Sequence, residues 1–135
     1  MARVRGMLLL AALVALLASA CSDTASARSE VVIRYSHFVP ELIEVPAGEP
    51  VAITLRNDDP IEHEWIVGRP EVHERHRTGT EPVHNEVPAE VTIPALSERL
   101  TTLRFDEPGD YQYICHLPGH EAYGMVGTLR VVEVS

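Results

Sequence analysis

The chain has 135 residues, with 20 acidic side chains against 11 basic ones, no lysine and only two cysteines. That length holds a single domain, and two cysteines rule out a disulfide-dense scaffold. A formal net charge of −9 argues against nucleic acid and anionic lipid surfaces as partners; it permits steering of a basic partner and otherwise serves solubility.

The first twenty residues read as a signal peptide rather than as fold. Arg3 and Arg5 form a basic start, Met7 to Leu17 is an apolar run, and Ala18-Ser19-Ala20 is a small-residue cleavage region. The apolar run is shorter than the ~20 residues a spanning helix needs. Two processing routes fit. Ala18-x-Ala20 suits ordinary cleavage, giving a periplasmic or secreted protein. The string LLASAC also resembles a bacterial lipobox, with Cys21 as the lipidated first residue tethered to the outer face of the cell membrane. Residues 21–29 are small and polar and read as a flexible linker.

From residue 30 the period changes to that of strands. Val31–Tyr35, Leu42–Val45, Val51–Leu55, Trp65–Val67, Val91–Ile93, Leu100–Phe105, Tyr111–Cys115 and Val126–Val134 are short β-branched or alternating runs. Pro46-Ala47-Gly48, Asn57 to Pro60 and Pro108-Gly109-Asp110 supply turns between them. About eight strands at this spacing predict an all-β sandwich or barrel spanning residues 30–135. No helix is expected after the signal. Gly68 to Glu90 breaks the rhythm: it lacks alternation, carries four prolines and glycines between residues 70 and 88, and is expected as an irregular loop. It also holds His73, His76 and His84 among glutamates. Imidazoles and carboxylates can bind Cu(II) or Zn(II), so an auxiliary metal site is one reading. A solvated loop in which Arg75 and Arg77 pair with nearby acids is the other.

The segment YICHLPGHEAYGM, Tyr113 to Met125, carries the chemistry. Cys115, His120 and Met125 recur at intervals of five between two strands, so the loop returns three donors over one end of a sheet. Thiolate, imidazole and thioether form a soft, mixed set that suits copper; zinc rarely takes a thioether. His63, where a turn enters the Glu64–Val67 strand, is the best candidate for a second imidazole. His116 follows Cys115 directly, and the alternation of side chains turns it away from the metal. Singly, a buried cysteine, a core methionine or a turn histidine needs no metal. Together, in an exported chain where Cys115 has no partner, they point to one.

The C-x4-H-x4-M loop, the upstream histidine after an Asn-led turn, and the string PGH…GM…G resemble the cupredoxins, the type 1 blue-copper proteins. The likeness is to auracyanin-, sulfocyanin- and plastocyanin-like members and runs from about Val31 to Val134. It implies a Greek-key β-sandwich, one copper held by His63, Cys115, His120 and Met125, and single-electron transfer. By the same likeness the electron port is His120, ringed by Leu117 and Pro118 with Tyr123 and Phe38 nearby. The chain departs from many relatives at Glu64, where they carry asparagine. A filled coordination shell leaves no position for substrate, so the expectation is a carrier, not an enzyme. Its partners would be redox proteins such as a cytochrome or a membrane oxidoreductase, and the protein itself a monomer. The alternative is a copper-handling protein that stores or delivers the ion through the histidine-rich loop.

Overall fold

The computed structural model describes residues 27–79 and 87–134. Nine strands and two short helices are present among them: β1 (Ala27–Arg34), β2 (His37–Val39), β3 (Leu42–Pro46), β4 (Pro50–Asn57), β5 (His63–Gly68), α1 (Pro70–Arg77), β6 (Glu90–Ile93), β7 (Glu98–Arg104), β8 (Gly109–Ile114), α2 (His120–Tyr123) and β9 (Val126–Val132). The strands form two sheets, ordered β2-β1-β4-β7 and β3-β9-β8-β5-β6. β1 runs parallel to β4 and β3 parallel to β9, while the remaining pairs are antiparallel.

The core lies between the sheets because each strand turns its β-branched and aromatic residues inward. Val31, Ile33, Ile53 and Leu55 of the first sheet and Trp65, Tyr113, Leu129 and Val131 of the second belong to one buried cluster. Trp65 and Tyr113 rings lie 5.9 Å apart, and Phe38 meets Tyr113 edge-on at 5.1 Å. Burying each such side chain stabilises the fold by about 1.5–3 kcal/mol. β5 is buried along its whole length, because β6 and β8 flank it in the sheet and α1 packs against it.

Three expectations are corrected. Residues 70–77 are helical, not irregular. Pro70 starts α1, where its missing N–H costs nothing, Glu71 stands in the first turn and Arg75, His76 and Arg77 in the last, matching the helix dipole. Second, β1 begins at Ala27, so the end of the stretch read as linker pairs with Val51 to Ile53. The partner strand, not side-chain pattern, orders those polar residues. Third, Phe38 is buried in the core and cannot ring an electron port. The signal segment, Cys21 and His84 lie outside the described residues. Among the described residues no helix is long and apolar enough to cross a membrane.

Candidate metal centre

His63 is the first residue of β5 and Cys115 follows the last residue of β8, its neighbour in the sheet. The sheet therefore sets both at one end of the sandwich. The loop after Cys115 is closed by its own backbone. His120 N–H donates to Leu117 O at 3.0 Å, Met125 N–H to His120 O at 3.0 Å, and Cys115 N–H to Met125 O at 3.2 Å. Gly119 and Gly124 flank α2 at φ 85° and 108°, conformations that glycine adopts without strain. Three donor-bearing residues are thus drawn into one ring of hydrogen bonds.

The donor atoms converge. His63 Nδ1, Cys115 Sγ and His120 Nδ1 lie within 4.8 Å of one another. His63 Nδ1 is 3.2 Å from His120 Nδ1, and Cys115 Sγ is 3.4 Å from the same nitrogen. His63, Cys115 and Met125 are fully buried; His120 is partly exposed.

Asp59 orients the first imidazole. Its Oδ2 is 3.0 Å from His63 Nε2, so that nitrogen carries the proton and Nδ1 turns its lone pair into the site. Burial lowers the His63 pKa from the ordinary histidine value against the pull of Asp59, with His120 adding to the fall. The ring is therefore neutral, as a ligand must be. Burial acts to raise Asp59, but backbone N–H groups of Ser36 and Tyr35 and the His63 ring hold it below the usual carboxylate range.

The sulfur is supported by main chain. Glu64 N–H points at Cys115 Sγ at 3.3 Å, so the contact survives the side-chain departure at this position. Burial pushes the Cys115 thiol up, the amides of Glu64 and Leu117 pull it down, and the Glu64 charge raises it further. A buried thiol with amide donors, beside two imidazoles of which one is fixed with its lone pair inward, fits copper. A bound cation would take the thiol proton's place.

Asp59 is the residue that sequence reasoning missed. It sat inside a segment read only as a turn, although a carboxylate four residues before a candidate ligand was a signal. Asn57 holds that turn: its Nδ2 donates to the carbonyls of Ile61, Ile93 and Pro94 at 2.7, 3.2 and 3.0 Å, and its Oδ1 accepts from Asp59 N–H at 3.0 Å. Of the expected port residues, Leu117 is partly buried and Pro118 exposed beside the partly exposed His120. Tyr123 is exposed and stacks on His37 at 5.2 Å. His73 and His76 are brought together not with each other's loop but with His116, which turns away from the copper site as alternation requires.

The chain is 29% identical over 115 residues to the copper-resistant cuproprotein CopI of Rubrivivax gelatinosus, covering 81% of this chain and 70% of that one. It is 28% identical to the protein of the same name in Pseudomonas aeruginosa, covering 79% and 77%. Among solved structures, auracyanin B superposes with a TM-score of 0.66 at 25% identity, covering 81% of this chain and 91% of that one. Reduced auracyanin of Roseiflexus castenholzii superposes at 0.67 and 20% identity over 80% and 98%, a likeness of fold. A family model, the cupredoxin-like domain, matches residues 7–129. With that match across most of its length, the chain belongs to the cupredoxin-like family.

Proposed function

We propose that the chain is an exported protein with one copper, held by His63, Cys115, His120 and Met125, that carries single electrons between redox partners and catalyses no reaction itself. The supporting observation is the convergence of His63 Nδ1, Cys115 Sγ and His120 Nδ1 within 4.8 Å on a frame of paired strands and closed loop. Bound copper would supply a one-electron couple between Cu(I) and Cu(II). The rest falls to the chain. Asp59 keeps the His63 ring in one tautomer, Glu64 N–H would neutralise part of the thiolate charge, and buried Met125 would offer its thioether. His120, partly exposed in the same loop as Leu117 and Pro118, is where a partner such as a cytochrome or a membrane oxidoreductase would approach. A frame that barely moves between oxidation states opposes transfer least.

The test is a visible spectrum of the full chain with one equivalent of Cu(II), beside Cys115→Ser. An intense thiolate-to-copper band, bleached by ascorbate, restored by a mild oxidant and absent from the variant, is the expected result. A weak band unchanged in Cys115→Ser overturns the reading.

A second reading, copper handling by storage or delivery, is favoured by the relatives named copper-resistant and by the buried imidazoles on α1. Challenge of the reduced, loaded protein with a Cu(I) chelator separates the two. A carrier keeps its ion through many redox cycles, and a delivery protein surrenders it. Export and a lipid tether at Cys21 belong to the same proposal; fractionation with Cys21→Ser tests the tether, since loss of the lipid frees the protein from membranes.

A further inference from the structure

Behind the thiolate, three buried imidazoles meet. His73 and His76 project from α1, and His116 is the residue after Cys115. His73 is fully buried, and the side chains of His76 and His116 are 1% and 6% exposed. His73 Nδ1 lies 2.9 Å from His116 Nε2. The rings of His76 and His116 stack with centroids 5.1 Å apart and planes within 16°.

Each ring has an acceptor on its far side. His73 Nε2 faces Gln112 O at 3.1 Å, His76 Nδ1 faces Val72 O at 2.8 Å, and His116 Nδ1 faces Glu121 Oε2 at 3.6 Å. Carbonyls only accept, so in neutral rings His73 Nε2 and His76 Nδ1 carry the proton; the Glu121 contact is longer than a hydrogen bond and does not fix the His116 tautomer. The lone pairs then sit on His73 Nδ1 and His76 Nε2. His116 Nε2 faces the first of these at 2.9 Å, a gap that the His116 Nε2 proton closes in the metal-free chain and that a shared cation would fill in its place. The Glu121 carboxylate on the far side of His116 is itself paired with Arg77. Outward bonding like that of His73 and His76 orients imidazole ligands around metals, and it repeats the relation of His63 to Asp59. The separation also suits two nitrogens that share one ion at about 2.0–2.1 Å each. Glu90 Oε1 stands 3.7 Å from His76 Nε2. A surface depression of ≈ 260 Å³, lined by His76, His116, Leu117, Pro118 and Glu121 among others, gives access from solvent.

We propose that His73 and His116, with His76 beside them, hold a second transition-metal ion, one peptide unit from Cys115. Imidazoles without thiolate suit Cu(II), Zn(II) or Ni(II), and the order of divalent affinities places Cu(II) first. Two of the histidines expected at an auxiliary site, His73 and His76, thus meet His116, two residues beyond β8, while His84 lies outside the described residues. It does not depend on the electron-carrier reading, because none of its donors is shared.

The experiment is a Cu(II) titration of the full chain, with bound metal counted after gel filtration and its type read by electron paramagnetic resonance. The expected result is two equivalents, the second showing nitrogen ligation and no thiolate band. In His73→Phe/His76→Phe the second equivalent is lost while the first keeps its thiolate band, which reports that the variant is folded. Glu121→Gln, a milder change, is expected to weaken the second equivalent 10- to 100-fold and to leave the first in place. Retention of a single equivalent by the wild-type chain overturns the proposal. So does a second equivalent that survives in the double variant, or one whose affinity Glu121→Gln leaves unchanged.

Discussion

Asp59 Oδ2 lies 3.0 Å from His63 Nε2, and the same carboxylate accepts the backbone N–H groups of Tyr35 and Ser36 at 2.7 Å each. One anion thus ties the β1–β2 turn to the first imidazole. Asp59→Ala frees the ring and strips two amides of their acceptor. Copper affinity is expected to fall 10- to 100-fold, read by competition with a chelator of known affinity. Unaltered affinity would mean that strand β5 alone aims the ring.

Copper loading is expected to release about one proton near neutral pH. Burial raises the Cys115 thiol above its ordinary value, so the metal-free chain keeps the proton that a thiolate ligand must lose. Burial keeps His63 neutral, so that ring releases none. Calorimetry in buffers of differing ionisation enthalpy measures the number, and zero would show that the sulfur is already ionised.

Stability of the metal-free chain is expected to fall with acid. Burial lowers the folded-state pKa of His63 and His73, in His73 against hydrogen bonding to the carbonyls of Gln112 and Gly68, and lowers His116 to about 4. Below the ordinary value of 6.5 the unfolded chain binds more protons than the folded one. The stability held above that value is therefore lost as pH drops through the folded values. His116 alone accounts for on the order of 3 kcal/mol between those limits. Urea midpoints from pH 7.5 to 4.5 check it, and a flat profile contradicts it.

Gly127→Ala is expected to cost about 3 kcal/mol or more. Gly127 stands opposite Tyr113 in the β8–β9 pair, and a Cβ there would fall inside the Tyr113 ring. That ring is buried and its hydroxyl donates to Pro40 O at 2.7 Å, so it has nowhere to move. Thermal or denaturant unfolding gives the value directly.

Asn57→Ala is expected to cost roughly 3 kcal/mol, since buried carbonyls lose their donor. The residue is 1% exposed and holds Ile61, Ile93 and Pro94 at once. Because Asp59 N–H also leans on it, the variant is expected to weaken copper as well, unlike Gly127→Ala at equal loss of stability.

Much of this was legible in the residues. Cys115, His120 and Met125 sit in one short loop, so spacing alone brings them together, and strands with period-two alternation announce themselves. His63 was reachable because strand order is constrained once the loop is placed. Asp59 was not, since its role depends on a turn whose shape Asn57 sets through contacts 36 and 37 residues away. α1 was hidden for a different reason. Its buried face is made of Val72, His73 and His76, and imidazoles do not register as an apolar stripe. His116 could be aimed away from the copper by alternation, but what it would meet there depended on that hidden helix.

The ligands do not share one kind of support. His63 begins a strand hydrogen-bonded on both sides, and Cys115 directly follows another with its N–H held by Met125 O, so both are tied to the sheet. His120 rides on a single turn of helix bounded by two glycines, and of the four ligand residues it alone is partly exposed. Exchange of a bound ion with its surroundings would therefore run through the side that His120 lines. A side chain added at Gly119 or Gly124 would strain that turn at its positive φ, so such substitutions would disturb the very side of the site through which the ion passes.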